Sequence, residues 1–340
     1  MLGSGLQFIL YTAVFKKDSL GEEVLLQGPA GPIPVLVYPP KKKEKGLIIT
    51  LTGFAMQGYR DKRVAAMNHA YARMGYRVLT PQINTIDALC IHPNAIDELK
   101  NAILTIASHP EMNPNGFVPA IFAPSFTGGI AALALAELPK NTAASLCLLG
   151  AYTDFETTIQ FALSNPNQTD DYGMHILFKN FLKYELGVRP DLEALIQTAL
   201  EDNGLKRKQA QLPALLQKTS PETKELYARL LQDSKFREET LLRAWKKIPD
   251  FDTWKNRLDV SLHAHQISCK VSIIHGKEDD VIPVSQSVLL YHLLKKHNPQ
   301  VRLEVSQLIS HGDPKYGFKM IGELMSLGKA FGYFLDQTKF

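Results

Sequence analysis

The chain has 340 residues, 45% of them hydrophobic and 21% charged, with a formal net charge of +4. That length suits one large α/β domain, or a domain carrying an insertion. Its basic clusters, Lys41-Lys42-Lys43-Glu44-Lys45 and Lys206-Arg207-Lys208, are short and lack interleaved aromatics, which argues against a nucleic-acid interface.

The N-terminal run Leu2 to Phe15 is apolar but shorter than the ~20 residues of a membrane span. It has neither a basic leader region nor a small-residue cleavage site, so a packed N-terminal element is expected rather than a secretion signal or an interfacial anchor. Glu22 to Gln27 and Ile33 to Tyr38 read as a hairpin joined around Gly28-Pro29-Ala30-Gly31-Pro32. Gly46 to Thr52 is a continuous apolar, β-branched run, the pattern of a strand covered on both faces. Arg60 to Met74 has helical periodicity and stops at Gly75; Tyr76 to Thr80 is a strand ending at Pro81. Pro93 to Ser108 then reads as a helix, Phe117 to Phe122 as a strand, Thr127 to Leu138 as a helix and Ala144 to Leu149 as a strand.

Beyond Asp154 the strand signal disappears until about His265. This stretch reads as amphipathic helices broken at Pro190, Pro213, Pro221 and Pro249. Two strand-helix units follow, Lys270 to Ile274 with Val284 to His297, and Val301 to Leu308 with Tyr316 to Asp336. Removing the middle stretch leaves the alternation intact. The fold class expected is therefore α/β: a mostly parallel sheet with an N-terminal antiparallel hairpin and an inserted helical cap. The boundaries are 1–153 for the first part of the core, 154–265 for the cap and 266–340 for the second part. Such a cap belongs over the carboxyl ends of the strands, where open α/β sheets carry their sites.

Ser125 stands in Ala123-Pro124-Ser125-Phe126-Thr127, between an apolar strand-like run and an alanine-rich helical run. That is the layout of a nucleophile elbow, although the usual G-x-S-x-G reads here as A-x-S-x-T. Pro124 suits a strand end, because it holds Ala123 extended. Thr127 crowds the turn, with about 1–3 kcal/mol of strain expected.

A serine nucleophile needs a base, and the base needs an orienting acid. Asp279 lies in Gly276-Lys277-Glu278-Asp279-Asp280-Val281-Ile282-Pro283, a turn after a strand, with Asp280 and then Asp154 as fallbacks. His311, in Ser310-His311-Gly312-Asp313-Pro314, is the histidine with the right place in the chain order. His275 falls inside the acid loop, and His263 and His265 have no partner spacing that makes a metal site. Oxyanion donors are expected from the backbone N–H groups of Phe126 and Phe54, with Ala55 as the alternative to Phe54, and Gly53 and Ala55 in the same loop are candidates to contact substrate. Phe178 and Phe181 in the cap are candidates to line an apolar acyl pocket, with plain packing as the competing reading. No metal or organic cofactor is implied. Cys90, Cys147 and Cys269 are odd in number and widely spaced, so a reducing, cytoplasmic setting is expected, with Cys147 and Cys269 as inert core thiols.

Taken together, Thr52-Gly53-Phe54, the Ser125 elbow, Gly276 to Asp279 with Pro283, and Ser310-His311 resemble the α/β-hydrolase superfamily. Within it, Gly53-Phe54-Ala55, Ala123, Thr127 and Ser310-His311 are similar to the myristoyl acyl-transferase/thioesterase of bacterial bioluminescence systems. The resemblance implies a serine hydrolase that cleaves an ester or thioester with a Ser125-Asp279-His311 triad, acting on a small-molecule acyl substrate. An acyltransferase with the same triad, a non-catalytic binding module, and a peripheral lipase anchored by residues 2 to 15 remain alternatives.

Overall fold

The computed structural model describes residues 2–14, 17–164, 171–309 and 321–336. Helix α1 (Leu2–Val14) precedes the hairpin of β1 (Glu22–Gly28) and β2 (Gly31–Tyr38), whose turn holds Gly31 at φ +116°. Then come β3 (Gly46–Thr50), α2 (Lys62–Arg73), β4 (Tyr76–Pro81), a short α3 (Asn84–Asp87) and α4 (Asn94–Ser108). Next are β5 (Ala120–Pro124), α5 (Ser125–Glu137) and β6 (Ser145–Leu149). The described residues between β6 and β7 are helical or irregular, with no strand: α6 (Phe155–Ser164), α7 (Tyr172–Leu186), α8 (Pro190–Gly204) and α9 (Leu212–Lys218), then α10 (Pro221–Gln232), α11 (Ser234–Lys246), α12 (Phe251–Leu258) and α13 (Val260–His263). The chain closes with β7 (Lys270–Gly276), α14 (Val284–Lys295), β8 (Val301–Ser306) and α15 (Ile321–Leu335).

The eight strands form one sheet in the order β1-β2-β4-β3-β5-β6-β7-β8. The hairpin and its junction with β4 are antiparallel, and every other pairing is parallel. Successive side chains point to opposite faces of a strand, and the core divides accordingly. Leu47, Ile49, Ile121 and Leu148 join one cluster, while Ile48, Val78, Phe122 and Ile274 join the other. Both faces are covered, so all five residues of β3 are buried.

The N-terminal run is a packed element, as expected. Phe8 stacks on Tyr71 of α2 at 4.3 Å and meets Phe331 of α15 at 4.8 Å. A Cβ on Gly5 would lie 1.7 Å from the Gly328 carbonyl oxygen, so α1 and α15 touch backbone to backbone. No helix of the described residues is long and apolar enough to cross a membrane.

Several boundaries differ from the sequence expectation by a few residues, and two of them bear on the site. The central strand begins at Ala120 rather than Phe117, because the Asn113 side chain closes a turn by bonding both the N–H and the carbonyl of Phe117. The helix after it begins at Ser125 rather than Thr127, because the strand runs through Pro124 into the turn itself. In the insertion, Pro190, Pro213 and Pro221 occupy first helical turns, where a missing N–H leaves no bond unmade.

The insertion rests on loops that follow the carboxyl ends of the strands. Asn180 of α7 donates to the Leu89 carbonyl and accepts from the Ile91 N–H, at 2.9 and 2.8 Å. Trp254 of α12 meets His92 edge-on, and the Tyr152 hydroxyl after β6 donates to the Leu258 carbonyl.

Candidate active site

Ser125 is the first residue of α5 and follows directly on the last residue of β5. Its φ is +55°, a left-handed backbone conformation that non-glycine residues rarely adopt. Such an outlier marks a place where the surrounding structure over-determines the backbone. Gly128 and Gly129 contribute to that constraint. A Cβ on Gly128 would lie 2.6 Å from the Ala151 Cβ, and one on Gly129 would lie 2.1 Å from the Tyr152 ring. Helix α5 is thereby drawn against the end of β6. Thr127 does not blunt the turn: it is fully buried beside a serine that keeps its left-handed φ. Its hydroxyl has no hydrogen-bond partner among the described residues.

The loop after β3 runs against Ser125. A Cβ on Gly53 would make ordinary contact with the Ser125 Cβ at 3.4 Å. The Phe54 ring stacks on Phe126 at 4.9 Å, and Phe126 stacks in turn on Tyr152 at 4.6 Å. The two residues expected to supply oxyanion donors are therefore tied to each other through their side chains. Ala55 is buried and accepts from the Gly58 N–H at 2.8 Å, which closes the loop as a tight turn.

Parallel register carries the site across the sheet. Pro124 is level with Leu149, and Leu149 with Ile274. The residues that come next, Ser125 and Gly150 just past the ends of β5 and β6 and His275 near the end of β7, are thereby brought together at the carboxyl edge of the sheet. Gly150 has φ +63°, and a Cβ there would lie 3.3 Å from Asp279 Oδ2. Asp279 is buried, whereas Glu278 is exposed and Asp280 half-buried, which separates the three acids of this turn. Asp279 Oδ1 accepts from the N–H groups of Val281 and Ile282 at 3.0 and 2.9 Å. Asp154 serves a different purpose, because its carboxylate caps α6 by accepting from the Thr157 N–H and hydroxyl. His311 lies outside the described residues.

Phe178 and Phe181 are 1% and 2% exposed. Phe181 meets Trp245 and Trp254 edge-on, and Phe178 meets His175 edge-on. Both pack inside the insertion, and Phe178 also borders a groove between α7 and α8 with Leu182, Leu186 and Ile196. Cys147 is fully buried, and burial pushes its thiol well up, in keeping with an inert core residue.

Three features escape a reading of the sequence alone. His275 is fully buried and braces the acid turn: Nε2 donates to the Ile282 carbonyl at 2.8 Å and stands 3.5 Å from Asp279 Oδ2. Its Nδ1 lies 2.6 Å from the Ser287 hydroxyl. The one signal for it was a histidine at the end of an apolar strand. Gln286 accepts from the Thr153 and Asp154 N–H groups and donates to Thr157, which ties the start of α14 to the loop after β6. Asp87 sits under the loop that begins at Gly53. A Cβ on Gly58 would lie 2.6 Å from its Cγ, and burial, with Glu98 nearby, raises its carboxyl to about 7 against the Tyr59 N–H and Arg60.

No protein-family model matches the sequence, and no curated protein matches it. Solved structures do match. The acylaminoacyl peptidase of Pyrococcus horikoshii aligns with a TM-score of 0.51 at 16% identity, over 95% of this chain and 42% of the peptidase. This chain thus spans less than half the length of that protein. The 2,6-dihydroxy-pseudo-oxynicotine hydrolase gives 0.53 at 14% identity, over 94% of this chain and 70% of the hydrolase. An esterase of Thermogutta terrifontis solved with butyrate bound gives 0.52 at 12% identity, over 94% and 95% of the two chains. The narrower resemblance to the bioluminescence acyl-transferases is not carried by these matches.

Proposed function

We propose that this chain, whose fold is that of the α/β-hydrolases, is a serine hydrolase that cleaves an ester or thioester by way of an acyl-serine intermediate. The observation that carries the reading is the left-handed Ser125 at a strand-to-helix turn, level across the sheet with the buried Asp279 loop. The solved neighbours named as a peptidase, a hydrolase and an esterase support it through the shared fold.

In this reading the Ser125 hydroxyl attacks the acyl carbonyl as His311 takes its proton. The bond from the carbonyl carbon to the leaving oxygen or sulfur breaks, and His311 returns the proton to the leaving group. Asp279 orients His311 and stabilises the imidazolium. The N–H groups of Phe126 and Phe54 bind the oxyanion, a contribution of about 3–4 kcal/mol per donor in well-formed sites. Water then attacks the acyl-serine and releases the acid. The helix N-terminus behind Ser125 favours the negative charge that develops there. The three cysteines are unpaired, which supports the reducing, cytoplasmic setting expected of the chain.

The test is covalent labelling of the full chain with a fluorophosphonate probe, with Ser125→Ala as control. An adduct on the wild type and none on the variant is the expected result. A folded wild type that takes no label overturns the proposal. Once labelling is seen, p-nitrophenyl esters and acyl thioesters of rising chain length define the substrate class. Product analysis with and without an added alcohol separates hydrolysis from acyl transfer.

A further inference from the structure

Gly204 closes α8, and a glycine in a helix costs roughly 0.5–1 kcal/mol against alanine. Its backbone is not in the left-handed region, so the turn itself does not call for glycine. Space does. A Cβ on Gly204 would lie 2.5 Å from Met56 Cγ, 3.0 Å from Met56 Cβ and 3.0 Å from Cε2 of Tyr172 in α7. Met56 belongs to the loop that passes Ser125 at Gly53 and carries Phe54. The insertion therefore sits directly on that loop at Gly204.

The two sides of this contact differ in how far they can yield. On the insertion side, Asn180 of α7 is held at 2.8 and 2.9 Å to the backbone of Ile91 and Leu89. On the loop side, the turn from Ala55 to Gly58 is closed by a backbone bond, and the Phe54 ring is stacked on Phe126. A push on Met56 is thus passed along a short, tied segment to the Phe54 amide.

We propose that Gly204 is a positioning residue for the reaction proposed above: by seating α8 on Met56, it sets where the loop carrying the Phe54 N–H stands over Ser125. The inference rests on the serine-hydrolase reading. It adds that the helical insertion and the oxyanion loop hold their places as one unit.

A double-mutant cycle on the full chain tests it, using Gly204→Ala, Met56→Ala and the pair. The readouts are fluorophosphonate labelling, hydrolysis of a p-nitrophenyl ester and thermal melting. Gly204→Ala is expected to lower kcat about tenfold with KM nearly unchanged, because a small misplacement of a donor is felt in the transition state. Its melting temperature is expected to fall by a few degrees, because the crowding at Met56 outweighs the small gain in helix propensity, and activity is therefore read well below the transition, where the variant is fully folded. Removing the Met56 side chain opens the space, so the pair is expected to return to within about twofold of Met56→Ala alone. A wild-type kcat in Gly204→Ala overturns the inference. So does a loss that persists in the pair, or one that vanishes when the rate is referred to the fraction of folded protein. A wild type that never labels removes the hydrolase reading and this inference together, whereas a labelled wild type without rescue removes this inference alone.

Discussion

Gly150 and Asp279 meet at the carboxyl ends of neighbouring strands, so closely that a methyl group there would require the carboxylate to give by a few tenths of an ångström. A Cβ on Gly150 would stand 3.3 Å from Asp279 Oδ2, and the glycine is also at φ +63°. Gly150→Ala is therefore expected to lose stability by about 1–2 kcal/mol, from left-handed strain and crowding of the carboxylate. Fluorophosphonate labelling should slow in the same variant, since the acid is displaced. Unfolding in urea and labelling rates check both effects, and an alanine that leaves both unchanged would show that the contact is slack.

Ser125 stores strain in its backbone. Glycine adopts φ +55° freely while alanine does not. Both Ser125→Gly and Ser125→Ala remove the hydroxyl, so their difference isolates the strain. The glycine variant should be more stable by about 1 kcal/mol, with neither variant labelled. Equal stabilities in chemical denaturation would place the strain elsewhere.

Thr127 is fully buried with a hydroxyl that finds no partner among the described residues. Replacing it by the similarly shaped valine removes an unsatisfied polar group, so Thr127→Val is expected to gain about 1 kcal/mol. The branched shape that the turn already accommodates is retained, so labelling at Ser125 should persist at the wild-type rate. A valine variant that unfolds more easily, or labels slowly, would give the hydroxyl a role in the elbow.

Asp87 sets a dependence on pH. Its carboxyl is raised from 3.8 to about 7 by burial and by Glu98, against the Tyr59 N–H and Arg60. The folded state favours the protonated acid, so its contribution to stability is full below the unfolded value and is lost as pH rises through about 7. Asp87→Asn stays neutral throughout. Its stability relative to wild type should rise between pH 4 and pH 8, by roughly 2–4 kcal/mol for a shift of this size. Urea titrations across that range measure the difference, and a constant gap between the two proteins would rule out the raised carboxyl.

Much of the fold is legible in residues that are close in the chain. The apolar run of β3 declares a strand covered on both faces, and Pro190, Pro213 and Pro221 mark breaks between helices, each of which proves to be a helix start. The elbow at Ser125 reads from its flanks, and Asp279 from a glycine and a proline around it. Thr127 is the instructive exception: the sequence shows a branched side chain at a crowded position, but not that the surrounding packing accepts it. Phe178 and Phe181 show the converse, since apolar residues at helical spacing look the same whether they line a pocket or fill a core.

What the sequence by itself determined was therefore the order of strands and helices, the all-helical middle segment, and the local settings of the serine and the acid. Each of these depends on backbone preferences and apolar periods that extend over a few residues. Only the tertiary structure decided that Ser125, Gly150 and His275 come together at the carboxyl edge of the sheet, that His275 braces the Asp279 turn, and that Gly204 seats the insertion on Met56. Those relations depend on parallel register and on contacts between distant segments, where a shift of one residue would leave every local pattern intact and take the site apart.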